Sequence, residues 1–330
     1  MTHGLTIAFH GQNAANFRAG FERLIEPGHT VLDLSDDLSG PGEREAYARA
    51  DVIVGIRLDD TLPAPAAARL FHAPAAGTDA IDTRRLPATT ALCNCHGHEQ
   101  AIAEYVFAAL LQRHVPLAAA DADLRQDRWT WWAGRPGALR SELGGQTIGL
   151  LGYGHIAQAL APRARAFGMR VHAANRSPVR DPQVHQAWSL TELAPFLAGL
   201  DVLVVTLPLT PQTQGLVNAD LLSTLPRGAW VVNVGRGPVI DEAALHGALA
   251  NGHLGGAVID TWYQYPNAER PTCAPSRLDF RTLPNVTMTP HMSGWTEGTV
   301  RRRQQTIADN IARLVRGHPL DHVVRAATPA

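Results

Sequence analysis

Two side chains define the chemistry this sequence can offer: Arg236, in NVGRGPVIDEAAL, and His291, in VTMTPHMSG. Each follows a short apolar run of the kind that forms a buried parallel strand, Gly228–Gly237 and Val286–His291. A planar guanidinium fork suits a carboxylate and a polarised carbonyl oxygen. An imidazole has the ordinary pKa best suited to proton exchange near neutral pH. Together they supply what hydride transfer at a 2-oxo or 2-hydroxy acid requires. Either one alone is weak evidence, since buried Arg and His often serve only to satisfy neighbours. Other runs of this half end in Asn175-Arg176-Ser177, Leu207-Pro208 and Asp260. Ligands of open parallel sheets gather at such carboxyl ends.

The stretch that organises these ends is QTIGLLGYGHIA, Gln146–Ala157. Thr147–Leu151 predicts a strand that breaks at Gly152-Tyr153-Gly154-His155-Ile156-Ala157 into a helix stopped by Gly168. Gly152 permits a tight turn, Gly154 lets backbone approach a pyrophosphate, and small Ala157 allows close helix packing. The phosphates would sit on the helix N-terminus beside His155 and Ile156. Dinucleotide binding is the expected use of this turn, a Gly-rich structural turn the alternative. Further strands are expected in Arg170–Ser177, Leu200–Thr210 and Gly255–Trp262, with helices in Leu190–Leu197, Ala219–Leu225 and Asp241–Ala250.

The first hundred residues alternate similarly: strands in Leu5–Gly11, His29–Ser35, Ala50–Leu58 and Thr89–Gly97, and a helix through Asn16–Leu24. This alternation predicts a second parallel sheet with flanking helices. A strongly apolar helix is expected over Glu99–His114, and a long amphipathic one over TEGTVRRRQQTIADNIARLVRG, returning to the first domain. Arg301-Arg302-Arg303 on the latter reads as a solvated face. Trp129, Trp131 and Trp132 are costly to leave wet, so a homodimer contact is the favoured reading and a buried corner the alternative.

At 330 residues two domains are expected, and a net charge of −1 points to neither nucleic acid nor an anionic membrane as partner. No run is apolar enough for a span, and no signal-like N-terminus is evident. Three cysteines make no disulfide framework, and a cytoplasmic location is expected. All 29 basic residues are arginine, which excludes Schiff-base lysine chemistry. The loop Cys93-Asn94-Cys95-His96-Gly97-His98 crowds its thiols and imidazoles along one extended segment, so no metal site is expected.

AAGTDAID, AIAEYV, GLLGYGHIA, LPLTPQTQGLVN, NVGRGPVIDEAAL, AVIDTW and TPHMSG, in this order, resemble the D-isomer-specific 2-hydroxyacid dehydrogenases, a family that includes formate dehydrogenases. The resemblance implies an α/β fold of two Rossmann-like domains, each a parallel sheet flanked by helices, with the active site in the interdomain cleft. Residues 1–97 plus 292–330 would form the substrate-binding domain and 98–291 the dinucleotide-binding domain. It implies Arg236 as the clamp on the substrate carboxylate and oxo group, and His291 as the acid/base. Backbone N–H groups of Ala76 and Gly77 would hold the carboxylate. The cofactor would meet Gly152, Gly154, His155, Ile156, Leu207, Pro208, Thr213, Val234, Gly235, Asp260 and Ser293. For His98, substrate contact and a structural hinge both stay open.

Two departures matter. Tyr265 stands where the family usually pairs a glutamate with the histidine, and Glu269 lies further on. Loss of that carboxylate predicts a His291 less able to hold its proton. Asn175 stands where an NAD enzyme usually carries an acid, with Arg176 and Ser177 able to take a 2′-phosphate, so NADP(H) is favoured over NAD(H). A reductase for glyoxylate or hydroxypyruvate is therefore expected. A formate dehydrogenase-like enzyme and a non-enzymatic dinucleotide sensor are the rivals.

Overall fold

The computed structural model describes residues 4–267 and 270–328. Its contacts divide the chain into two compact units, one holding residues up to Gly97 and from Trp295 onward, the other His98–Gly294.

The first unit begins with β1 (Thr6–His10), α1 (Gly11–Ala15), β2 (Thr30–Leu34), α2 (Glu43–Arg49), β3 (Val52–Val54), β4 (Leu70–His72) and β5 (Ala91–Cys93). Period-two alternation sorts its core. Ile7, Phe9, Val52 and Val54 pack on one face with Phe17 and Phe21, while Ala8, Ile53, Phe71 and Leu92 pack on the other with Tyr47 of α2.

The second unit holds α3 (Glu99–His114), α4 (Leu117–Leu124), β6 (Thr147–Leu151), α5 (His155–Ala166), β7 (Arg170–Asn175), β8 (Gln186–Ser189), α6 (Leu193–Leu197), β9 (Val202–Val205), α7 (Ala219–Thr224), β10 (Trp230–Asn233), α8 (Glu242–Ala250), β11 (Gly256–Ile259) and β12 (Val286–Met288). Its strands run in the order β12-β11-β10-β9-β6-β7-β8, every pair parallel. That is the doubly wound order, with its switch point between β6 and β9. Ile148, Leu150, Val202 and Val204 face α3 and α5, whereas Leu151, Leu203, Val205 and Val231 face α6, α7 and α8. Both faces are covered, which is why these strands read as continuous apolar runs.

The chain ends in the first unit with α9 (Glu297–Arg316) and β13 (Val323–Arg325), giving the sheet order β13-β5-β4-β3-β1-β2. Thr296 Oγ1 accepts the Thr299 N–H to cap α9, and Gly317 at φ +66° ends it. Ile307, Ala308 and Ile311 lay its apolar stripe on the sheet.

Several expectations need correction. The helix expected through Asn16–Leu24 is absent: α1 occupies Gly11–Ala15, and a single 3₁₀ turn follows at Phe21–Arg23. Gly20, at φ +75°, breaks the run. The first sheet is mixed rather than purely parallel, because β13 pairs antiparallel with β5. The arginine triplet is not a uniformly solvated face. Arg303 is buried, donating to the carbonyls of Pro74 and His96, and Arg302 Nε donates to that of Gly97. The tryptophans do not form a buried corner: Trp129, Trp131 and Trp132 are 62%, 40% and 64% exposed.

Candidate active site

The glycine turn between β6 and α5 is shaped by its neighbours. Gly152 has φ +92°, and a Cβ there would sit 3.0 Å from Leu207 Cδ2 and 3.1 Å from Thr206 Oγ1. Gly154 meets the opposite condition: a Cβ on it would touch nothing within 4 Å, so protein packing alone does not require glycine there. α5 then starts without a side-chain cap, and its first turn carries no acid. Open backbone before an uncapped helix N-terminus fits a pyrophosphate. Ala157 is fully buried in the core under the helix. The residues present therefore fit a dinucleotide.

The surrounding strand ends are packed tightly. Leu207 and Val234 are buried, and a Cβ on Gly235 would come within 2.7 Å of the Leu207 carbonyl oxygen. Thr213 Oγ1 accepts the Thr210 N–H and donates to the Pro208 carbonyl, closing the turn after β9. At the β7 end, Asn175 Oδ1 accepts the Tyr153 N–H while its Nδ2 donates to the Ser177 carbonyl. Arg176 and Ser177 are exposed beside it.

Arg236 follows β10, half-buried, with Nη1 donating to its neighbour's carbonyl at Gly235. His291 follows β12 in a left-handed conformation, φ +58°. Such a backbone costs about 1 kcal/mol for a residue with a Cβ. Asp260 offsets it. This fully buried carboxylate accepts the amides of Met292 (2.9 Å) and Ser293 (3.0 Å), which directly follow the histidine. Charge-assisted bonds of this kind are about twice as strong as neutral ones. Thr289 Oγ1 also donates to Asp260, at 2.6 Å, and so accepts from Tyr105 of α3. Trp262 Nε1 donates to the Thr289 carbonyl. The loop around His291 is thus held from β11, α3 and its own strand.

The Tyr265 hydroxyl lies 3.0 Å from His291 Nδ1 and accepts the Trp262 N–H, also at 3.0 Å. Although His291 keeps solvent access, desolvation by the protein packed around its ring and the Arg236 guanidinium charge lower its pKa below the ordinary value, with Asp260 opposing. Burial raises that of Tyr265. Glu269 lies outside the described residues.

The structure thus brings Arg236, Asp260, Tyr265 and His291 to one edge of the second unit's sheet. Ala76 and Gly77 lie in the first unit, in the turn after β4. Asn94 Nδ2 donates to the Ala76 carbonyl there, and the Cys95 N–H to that of Ala75. His98 precedes α3, with Nδ1 3.9 Å from the Glu99 carboxylate. Cys93 and Cys95 are buried, and burial pushes both thiols up to about 12. No group of three metal-ligating side chains occurs among the described residues. Among these, no helix is long and apolar enough to cross a membrane.

Sequence reasoning did not anticipate Thr289 and Tyr105. A threonine two residues before the histidine was visible, but nothing in the spacing linked it to a tyrosine on α3.

Comparison with known proteins identifies the family. The family model for the NAD-binding domain of D-isomer specific 2-hydroxyacid dehydrogenases matches residues 107–293. D-3-phosphoglycerate dehydrogenase of Bacillus subtilis is 31% identical over 227 residues, 68% of this chain but only 41% of its own length. A solved D-isomer specific 2-hydroxyacid dehydrogenase from Xanthobacter autotrophicus, in complex with NADPH, has a TM-score of 0.77 at 28% identity and covers 98% of each chain. The NADPH-dependent glyoxylate/hydroxypyruvate reductase of Sinorhizobium meliloti has a TM-score of 0.78 at 26% identity, covering 97% of this chain and 98% of its own. With more than half of its residues matched by the family model, the chain belongs to the D-isomer specific 2-hydroxyacid dehydrogenase family.

Proposed function

We propose that the protein is an oxidoreductase moving a hydride between a nicotinamide cofactor and a small 2-oxo or 2-hydroxy acid of the glyoxylate or hydroxypyruvate type. The observation that carries this is the placement of Arg236 after β10 and His291 after β12, at the carboxyl ends of two strands of one parallel sheet. A bound nicotinamide supplies the hydride to the oxo carbon, or takes it back in oxidation. Arg236 binds the substrate carboxylate and polarises the oxo group. As the carbon gains the hydride, the carbonyl π pair moves to oxygen and His291 gives that oxygen a proton. Nδ1 faces Tyr265, so Nε2 is the nitrogen that serves the substrate. In oxidation the same nitrogen removes the hydroxyl proton. We assign carboxylate binding also to the N–H groups of Ala76 and Gly77, whose turn is pinned through its carbonyls.

We favour NADP(H). Asn175 places no charge against a 2′-phosphate, Arg176 and Ser177 are exposed beside it, and two related structures are named as NADPH or NADP complexes. The exposed tryptophans, with Leu117 and Leu139 at 72% and 96% exposure, support a contact with a second copy of this chain. The free cysteines suit a reducing compartment.

NADPH oxidation followed with a panel of 2-oxo acids tests this reading. Turnover that vanishes in Arg236→Ala is expected. Formate oxidation instead would favour a formate dehydrogenase. Dinucleotide binding without any turnover would favour a sensor, and a clear preference for NADH would overturn the cofactor assignment.

A further inference from the structure

The turn after β4 is held through three consecutive carbonyl groups, each by a donor from a later part of the first unit. Arg303 Nη1, on α9, donates to the Pro74 carbonyl at 3.1 Å. The Cys95 N–H donates to that of Ala75 at 3.0 Å, and Asn94 Nδ2 to that of Ala76 at 2.7 Å. A trans peptide unit is planar, so its C=O and N–H point in opposite directions. Holding these carbonyls toward α9 and the end of β5 therefore turns the N–H groups of Ala75, Ala76 and Gly77 away from both. Pro74 has no N–H, so the row of donors begins at Ala75. Successive N–H groups directed to one side make a concave anion site. Among the described residues, no backbone acceptor meets these three N–H groups, and all three residues are half-buried.

The groups that hold the turn are fixed in their own right. Arg303 is buried, and its Nε donates to the His96 carbonyl at 3.2 Å, which sets the plane of the guanidinium. Asn94 sends its backbone N–H to the His322 carbonyl. A guanidinium stays charged at every working pH, so a positive charge lies behind the row of donors and favours an anion in front of it.

We propose that Arg303 and Asn94 are positioning residues that shape the backbone of Ala75, Ala76 and Gly77 into an anion nest for the substrate carboxylate, backed by the Arg303 charge. This rests on the reading of the turn as the carboxylate site, adds the Ala75 N–H to it and names what builds it. The nest grips a carboxylate that carries the same charge before and after hydride transfer. Its loss therefore raises KM for the acid and spares kcat.

Steady-state kinetics with NADPH and glyoxylate, beside thermal unfolding, test this. Arg303→Gln keeps a donor but removes the charge. It should raise KM for glyoxylate roughly 10-fold, with kcat and KM for NADPH within a factor of two. Asn94→Ala should raise KM by a similar factor, and Arg303→Lys, which restores the charge, should recover most of the loss. Asn94 is only half-buried, so its variant keeps the proposal open to refutation should Arg303→Gln not fold. A direct readout is the Gly77 amide resonance of ¹⁵N-glycine-labelled protein, assigned with Gly77→Ala and titrated with oxamate, an unreactive analogue of a 2-oxo acid. The resonance should shift in wild type, and each KM variant should need roughly 10-fold more oxamate for the same shift. An unchanged glyoxylate KM in a folded variant, a kcat that falls as far as KM rises, or a Gly77 amide unmoved by oxamate in wild type overturns the proposal. The titration needs no turnover. Oxamate shifting Gly77 while no oxo acid is reduced would refute the proposed function and leave the nest standing.

Discussion

Two histidines at the carboxyl ends of strands, one from each sheet, have opposite fates. His72, the last residue of β4, is fully buried, with Nε2 2.9 Å from Asn310 Nδ2 on α9. Asn310 in turn bonds the backbone of Asp321, so this histidine helps to lock the C-terminal segment. Burial lowers its pKa to about 4, leaving it neutral at any working pH. His291, after β12, is exposed, sits in a left-handed conformation, meets the Tyr265 phenol and feels the charge of Arg236. Location at a strand end is therefore no sufficient sign of chemistry. What separates the two is solvent access together with partners that respond to a change of protonation.

The sharpest way to break this contrast is at Arg236. Arg236→Ala should lower kcat/KM for glyoxylate at least 10³-fold, about 4 kcal/mol, by leaving the carboxylate and oxo group unclamped. The stability of the fold should hardly change. Steady-state kinetics beside thermal unfolding would show it, and a fall below 10-fold would remove Arg236 from the site.

The first histidine predicts a stability effect instead. Its folded pKa lies below that of the unfolded chain, so the unfolded state takes up the proton first as the solution is acidified. Stability is full above pH 6.5 and is lost as pH falls toward about 4, by about 3 kcal/mol in total. Urea unfolding at several pH values should show this slope in wild type and a flatter one in His72→Gln.

Asp260→Asn tests the anchor under His291. One acceptor oxygen cannot serve three donors, so a loss of about 2–3 kcal/mol in stability and a lower kcat are expected. Denaturant melts and kcat measured together would check it. The smallest effect concerns the cofactor. Arg176→Ala should raise KM for NADPH about 10-fold while leaving that for NADH within a factor of two.

Much of the second unit was legible because its strands are covered on both faces and so read as apolar runs. β6, β9, β10, β11 and β12 fall inside the segments expected, and α3 matches residue for residue. β8 escaped notice because QAWS is a half-exposed edge strand without an apolar run. β13 escaped too, being three residues long and defined by its partner β5. Arg303 was misread because periodicity places a residue on a helix face but does not reveal which carbonyls wait there. At the site, Arg236 and His291 could be named from residue type and strand ends. The bond from Tyr265 to His291 depends on the course of the loop after β11, and no local pattern encodes it. Asp260 was expected beside the cofactor through the family resemblance. The structure adds that its carboxylate accepts the chain's own Met292 and Ser293 amides, which no local pattern reveals.

The central claim is that hydride transfer at the second unit's sheet edge depends on proton transfer by His291. Single-turnover oxidation of bound NADPH by glyoxylate, compared between wild type and His291→Asn, addresses it most directly. The account predicts a rate at least 100-fold lower in the variant with NADPH affinity unchanged. Equal rates would contradict it.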